Sequence, residues 1–192
     1  LNVKECLGVS FKITNPRDRG IFNEARNFKP HYTVAEMLWY LSGNDKTSWI
    51  SYYAPFWKKI SDNGETANSA YGARIFKPHI RIAGAQIVQW EWVKQELSND
   101  PDSRRAIIHI KSPWDSTHAK LDVPCTLALQ FLIRDGKLNL VFNMRSSDLI
   151  LGIANDVPAF TTLQEVMALE LGLGLGSYIH ISNSLHVYKK HW

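Results

Sequence analysis

Residues 124–148, PCTLALQFLIRDGKLNLVFNMRSSD, hold most of the information about this chain. Thr126 to Arg134 is apolar and rich in strand formers, Asp135-Gly136 is a strong hairpin signal, and Lys137 to Met144 returns as the partner strand. A hairpin brings its two ends together, so Pro124-Cys125 at the start meets Asn143-Met144-Arg145-Ser146-Ser147-Asp148 at the finish, with Asn155-Asp156 shortly after. A thiol, a guanidinium and two carboxylates are gathered in this way. A thiolate beside a fixed cation is a nucleophile, and a carboxylate opposite it can hold a polar ring in place. The combination points to covalent chemistry on a small anionic substrate.

Outward from the hairpin, Val9 to Thr14 alternates as a strand. Tyr32 to Leu41 has helical spacing of Val34, Met37, Leu38 and Leu41, and Gly43 stops it. Ile87 to Leu97 reads as a second helix, ended by Ser98-Asn99-Asp100-Pro101. Ala106 to Ile110 is a strand, followed by a polar loop through Asp122. After the hairpin, Phe160 to Leu171 is an apolar helix closed by a turn over Gly172 to Gly176, and Ser177 to Tyr188 is the last strand. Strands and helices mix without βαβ alternation, which argues for an α+β fold.

A chain of 192 residues fits one domain, residues 1–192, with a sizeable core, and 45% hydrophobic with 21% charged residues carries no disorder signature. No apolar run reaches membrane-spanning length and no signal peptide is present, so no membrane is expected. The two cysteines, Cys6 and Cys125, do not suggest a disulfide framework, which fits a cytoplasmic location. A net charge of +4 reads either as a mildly basic surface or as cations clustered for a nucleotide phosphate and a polyanionic cofactor. No segment concentrates Lys and Arg, which argues against nucleic acid. No His, Cys or carboxylate cluster has metal-ligand spacing, so no metal is expected.

Each candidate residue has a plainer reading beside the functional one. A lone cysteine is usually a core thiol, but the Pro-Cys context and the Arg145 hairpin favour Cys125 as a nucleophile. Glu36 lies on an otherwise apolar helix, costly unless hydrogen-bonded, which supports a function. Arg104 and Arg105 taken alone read as a solvated pair, and Asn155-Asp156 as a turn. His186 is either a satisfied core histidine or, with Tyr188 two residues on along the same strand face, a site residue. His180 and His191 read as structural, and the glycines at 172, 174 and 176 as a turn.

Several stretches occur together in one order: Asp100-Pro101-Asp102-Ser103-Arg104-Arg105, Pro124-Cys125, Asp135-Gly136-Lys137, Arg145-Ser146-x-Asp148-Leu149 and Leu185-His186-Val187-Tyr188. They resemble the successive signatures of the thymidylate synthase family, from near Glu36 to the end of the chain. Thr126 stands where thymidylate synthases usually have His, Met144 where they have Gln, and Asp156 where they have Asn. In these three details the chain resembles the cytidylate (dCMP or CMP) hydroxymethylase branch.

The resemblance implies a large mixed sheet packed with helices, one face of which joins a second copy in a homodimer. It implies that the Cys125 thiolate adds to C6 of a pyrimidine nucleoside monophosphate, and that C5 then attacks the one-carbon unit of 5,10-methylenetetrahydrofolate. Arg104 and Arg105 would reach across the dimer to the partner's nucleotide phosphate, while Arg145 and Ser146 bind it within their own subunit; a guanidinium fork suits that task. Asp156 would read the base, since a carboxylate only accepts and so suits the amino group and protonated N3 of cytosine. Glu36 would hold water and shuttle protons. His186 and Tyr188 would bond the sugar, Asp148 the pterin, and Tyr71 would line the cofactor side.

The expected activity is a one-carbon transfer giving a C5-hydroxymethyl cytidylate, with water quenching the methylene intermediate. A thymidylate synthase acting on dUMP is the rival within the family, and a silent nucleotide- or RNA-binding relative the rival outside enzyme chemistry. The family's arginine loop before the first strand and its C-terminal closing segment have no counterpart within residues 1–192. Ribose or deoxyribose stays open.

Overall fold

The chain begins with a long strand, β1 (Val3–Ile13), and reaches its first helix, α1 (Pro30–Leu41), through a loop. The computed structural model describes residues 2–192 except 22, 27, 79, 83, 84 and 118–120. Three short helices follow, α2 (Thr47–Tyr53), α3 (Phe56–Ile60) and α4 (Tyr71–Phe76). A small antiparallel pair, β2 (Ile80–Ile82) and β3 (Ala85–Ile87), leads into α5 (Gln89–Asn99) and the short strand β4 (Ile107–His109). The hairpin is β5 (Thr126–Arg134) and β6 (Lys137–Met144), followed by β7 (Ser147–Asp148), α6 (Ile153–Glu170) and β8 (Gly174–Tyr188).

One six-stranded sheet, among the described residues, runs in the order β1-β8-β6-β5-β4 with β7 beside β8. It is mixed: β6 and β7 run parallel to β8, and the other neighbours are antiparallel. Asp135 and Gly136 both take positive φ, 52° and 67°, the two-residue turn that matches strand twist, and Arg134 pairs with Lys137. Leu129 and Phe131 of β5, Leu140 and Phe142 of β6 and Tyr178 of β8 bury one sheet face against Phe160 of α6, with Phe142 and Phe160 rings 4.0 Å apart. The α+β class and the packed mixed sheet expected from the sequence are present.

Several boundaries move. The first strand starts six residues earlier than read, and Ile87 ends β3 rather than opening α5. The last helix begins at Ile153, so Asp156 lies in its first turn; Pro158 inside it hid that start, because proline removes a helical N–H donor. Gly174 and Gly176 belong to β8 rather than to a turn, and a Cβ at Gly176 would lie 2.7 Å from Asn139 Oδ1.

The helix α1 is inverted relative to its apolar spacing. Val34 and Leu38 are 50% and 47% exposed, whereas Thr33, Ala35, Glu36, Trp39 and Tyr40 are buried. Two large aromatic rings bury more apolar area than two aliphatic side chains, so they set the inward face and take Glu36 with them. Arg17 and Arg19, in the loop after β1, both bond Glu165 on α6.

Candidate active site

Cys125 sits immediately before β5, partly buried against the core. The end of the hairpin holds it: the Arg145 backbone N–H donates to the Cys125 carbonyl at 2.9 Å, and the Arg145 guanidinium donates to the carbonyls of Pro124 and Val123, both at 2.9 Å. The cation is thus fixed beside the thiol, as the hairpin implied. Burial nonetheless pushes the thiol above its ordinary range; Arg145 pulls it down, and Asp156 and Asp122 push it up. Desolvation is the larger effect, so Arg145 offsets only part of the rise.

Tyr71, read as a loop residue at the cofactor side, opens α4 and faces the nucleophile. Its buried hydroxyl accepts from the Thr126 backbone N–H at 3.4 Å, and the nearby Cys125 and Asp156 charges, after burial, raise its pKa. Glu36 is buried and accepts from the Tyr32 hydroxyl at 2.6 Å; Tyr32 in turn accepts from Trp57 Nε1 at 3.2 Å. Burial lifts Glu36 to about 7, with hydrogen bonds from Tyr32 and Tyr40 opposing the rise. A carboxyl poised near neutrality suits proton transfer.

Asp156 lies across from Glu36 and Asp148. Desolvation, then the charges of those two carboxylates, push it well above the usual carboxylate range. A close turn places it: Gly152 N–H donates to Asp148 O at 3.1 Å, and Asp156 N–H donates to Gly152 O at 2.9 Å. A Cβ at Gly152 would stand 2.9 Å from Asp148 O and 3.4 Å from Asp156 Oδ2, so only glycine lets the turn close this tightly. The neighbouring Asn155 is tied to Thr33 Oγ1 at 2.6 Å and to Leu151 O at 2.9 Å, a structural role.

Asp148 Oδ1 accepts from the N–H groups of Ile150 and Leu151 at 2.8 and 2.9 Å. Its Oδ2 has no such partner among the described residues and is free to accept from the N–H groups of a pterin, so the residues present fit a folate. Asp148 pairs with His186 across β7 and β8, and the His186 and Tyr188 rings meet edge-on at 5.0 Å. Ser146 follows Arg145, partly exposed. His180, by contrast, is fully buried between Ser147 Oγ at 3.1 Å and the Tyr178 hydroxyl at 3.0 Å, and burial lowers it to about 4.

Arg104 and Arg105 are not brought to Cys125. They precede β4 beside Phe131, whose N–H donates to Ala106 O, six residues along β5 and roughly 20 Å away by strand rise. Arg105 is exposed and bonds Glu96 at 2.9 Å. Sequence reasoning missed Tyr32 and Tyr40, although both stand four residues from Glu36, the spacing that stacks side chains on one helix face. Among the described residues no group of three or more His, Cys, Asp or Glu could hold a metal, and no helix is long and apolar enough to cross a membrane.

Residues 22–192 match the family model for thymidylate synthase. The chain is 36% identical over 193 residues to the deoxyuridylate hydroxymethyltransferase of Bacillus phage SP01, covering 97% of this chain and 50% of that protein. It is 31% identical over 154 residues to the thymidylate synthase of Bacillus phage phi3T, covering 80% of this chain and 55% of that protein. The chain therefore spans about half the length of the curated relatives it matches. The solved thermostable thymidylate synthase A from Bacillus subtilis superposes with a TM-score of 0.80 over 98% of this chain and 68% of that one, at 24% identity, and so shares its fold. On these grounds, with the mixed sheet and the cysteine held by the hairpin arginine, the chain belongs to the thymidylate synthase family.

Proposed function

We propose that this chain is the catalytic domain of a pyrimidine nucleotide C5-hydroxymethylase, acting on a cytidine monophosphate with 5,10-methylenetetrahydrofolate as co-substrate. The observation that supports it is the convergence of Cys125, Glu36, Tyr71, Asp148 and Asp156, drawn from five elements or their flanks, on one interior cluster. The Cys125 thiolate adds to C6, and the C5=C6 electron pair makes C5 nucleophilic. C5 takes the methylene carbon from the folate and loses its proton, with Glu36 as the proton carrier; tetrahydrofolate departs. Water then adds to the exocyclic methylene, the thiolate leaves, and the product bears a C5-hydroxymethyl group.

Arg145 and Ser146 hold the phosphate, His186 and Tyr188 the sugar, and Asp148 the pterin. Arg104 and Arg105 serve the partner's site in a homodimer. The sheet face turned away from the helices supports a dimer: partly buried Ala128, Val141, Ile179 and Ile181 line it, and Asn143 Oδ1 is buried there without a partner. A second reading, a uridylate substrate, is favoured by the SP01 relative, a deoxyuridylate hydroxymethyltransferase. Incubation with methylenetetrahydrofolate and each of CMP, dCMP, UMP and dUMP, followed by mass analysis, tests the proposal. A gain of CH2O on a cytidylate is expected; a C5-methyl product, or no product from any of the four, would overturn it.

A further inference from the structure

Arg145 stands in a gap of the sheet. The ladder of β6 on β8 ends at Met144, opposite Ser182, and β7 takes it up again at Ser147, opposite Leu185. Between them, Arg145 and Ser146 form a corner that pairs with no residue of β8. A chain of side chains closes this corner. Ser147 Oγ lies 3.0 Å from Met144 Sδ and 3.1 Å from His180 Nε2, and His180 Nδ1 lies 3.0 Å from the Tyr178 hydroxyl. All four residues are buried.

The contacts fix where the protons sit. A thioether has no hydrogen to give, so Ser147 is the donor to Met144, and a hydroxyl has only one hydrogen. Ser147 therefore meets His180 with a lone pair, and Nε2 carries the imidazole proton. Nδ1 is left as an acceptor and takes the hydrogen bond of the Tyr178 hydroxyl. The three bonds run in one direction, Tyr178 to His180 to Ser147 to Met144, so each polarises the next. Around the ring stand Phe11 of β1, stacked at 4.8 Å, and Phe142 of β6 at 5.2 Å. Among the described residues no charged side chain bonds it. The low pKa that burial gives His180 agrees with a ring holding one proton.

We propose that His180 is a positioning residue for the nucleophile: as the Nε2–H tautomer it turns the Ser147 hydroxyl onto Met144, and this clamp holds the corner that carries Arg145 beside Cys125. Arg145 bonds the carbonyls of Cys125, Pro124 and Val123, each at 2.9 Å. Those bonds tie the corner to the cysteine segment, and the clamp ties the corner to the sheet. With the clamp cut, Met144 and Ser147 can part, and Arg145 loses its fixed distance to the sulfur. The thiol then loses part of the attraction that favours its charged form. The role rests on Cys125 being the working thiol of the proposed reaction, but it is read from the thiol alone.

The experiment follows iodoacetamide alkylation of Cys125 against pH in the full chain with Cys6→Ser, without nucleotide or folate. His180→Gln places an amide N–H near the position of Nε2–H and keeps the bond to Ser147; His180→Asn is one carbon shorter and cannot reach it. In His180→Asn the alkylation midpoint should rise and the rate at neutral pH should fall by about twofold or more, while His180→Gln stays near the parent. Adding His180→Asn to Arg145→Leu should change nothing further, because the effect passes through Arg145. Ser147→Ala cuts the same clamp without touching the imidazole and should also raise the midpoint, which covers the case of a His180 variant that does not fold. Nitrogen-15 NMR of the His180 ring should show its proton on Nε2. The inference is overturned by a proton on Nδ1, by equal midpoints in the Asn and Gln variants, by an unmoved midpoint in Ser147→Ala, or by a shift that persists in Arg145→Leu. If the shifts appear as expected yet no hydroxymethyl product forms with folate, the clamp stands and the proposed reaction fails.

Discussion

The Tyr32 hydroxyl donates to Glu36 Oε1 at 2.6 Å, one helical turn apart on α1, and accepts from Trp57 Nε1 at 3.2 Å. This bond decides how far burial can raise the glutamate. It favours the ionised form, so it pulls against desolvation.

Glu36 titrates near 7 in the fold against 4.5 in the open chain. The folded state holds the proton longer, so the stability contributed by neutral Glu36 is full below about pH 4.5 and lost as pH rises to about 7. Glu36→Gln cannot ionise. Its unfolding free energy relative to wild type should therefore climb between these pH values by an amount on the order of 3 kcal/mol, then level off. Paired chemical denaturation curves across the range measure it, and a constant difference between the two proteins would contradict the assignment.

Tyr32→Phe removes the opposing hydrogen bond, and Glu36 should then titrate above 7. In the rate of solvent exchange at C5 of a bound nucleotide, the limb assigned to Glu36 should move to higher pH in this variant. An unmoved limb would separate Glu36 from the observed proton transfer.

Removing the Arg145 cation should push the Cys125 thiol still higher, since Arg145 is the group that lowers it. In a Cys6→Ser background, the midpoint of iodoacetamide alkylation against pH should rise in Arg145→Leu, and the rate at neutral pH should drop roughly threefold or more. Cys125→Ser in the same background should not alkylate and should not catalyse C5 exchange. Residual exchange near the wild-type rate would remove Cys125 from its role.

Gly72 lies against α1 so closely that a Cβ would come within 2.1 Å of the Tyr40 carbonyl oxygen. Backbone cannot swing aside as a side chain can. Gly72→Ala should destabilise the fold by about 2–3 kcal/mol or more and should displace Tyr40 and Tyr71, whose rings are 5.5 Å apart. A thermal melt within a degree or so of wild type would show that α4 shifts freely.

Arg104 and Arg105 stand far from Cys125 along the sheet. If they complete a partner's site, Arg104→Ala/Arg105→Ala and Cys125→Ala chains are each inactive alone. After subunit exchange, activity should recover to about a quarter of wild type, since half the dimers would be mixed and each would have one good site. No recovery after exchange verified by mass analysis argues for a phosphate bound within one subunit.

The sequence by itself determined the hairpin, because Asp135-Gly136 supplies the two positive-φ positions and the flanking apolar residues supply the strands. It also singled out Cys125, Arg145, Asp148 and Asp156, whose spacing is local to that hairpin and the helix after it. Only the tertiary structure decided which face of α1 turns inward: Val34 and Leu38 keep the right period, but period alone does not say which stripe meets the core, and the larger area of Trp39 and Tyr40 does. The same is true of charge. A carboxylate in a sequence is ionised by default, and a thiol next to an arginine looks activated. Desolvation among Glu36, Asp148 and the tyrosines, set by the packing of α1, α4 and α6 on the sheet, pushes Asp156 well above the usual carboxylate range and outweighs Arg145 at Cys125, because it depends on surroundings that lie far away in sequence.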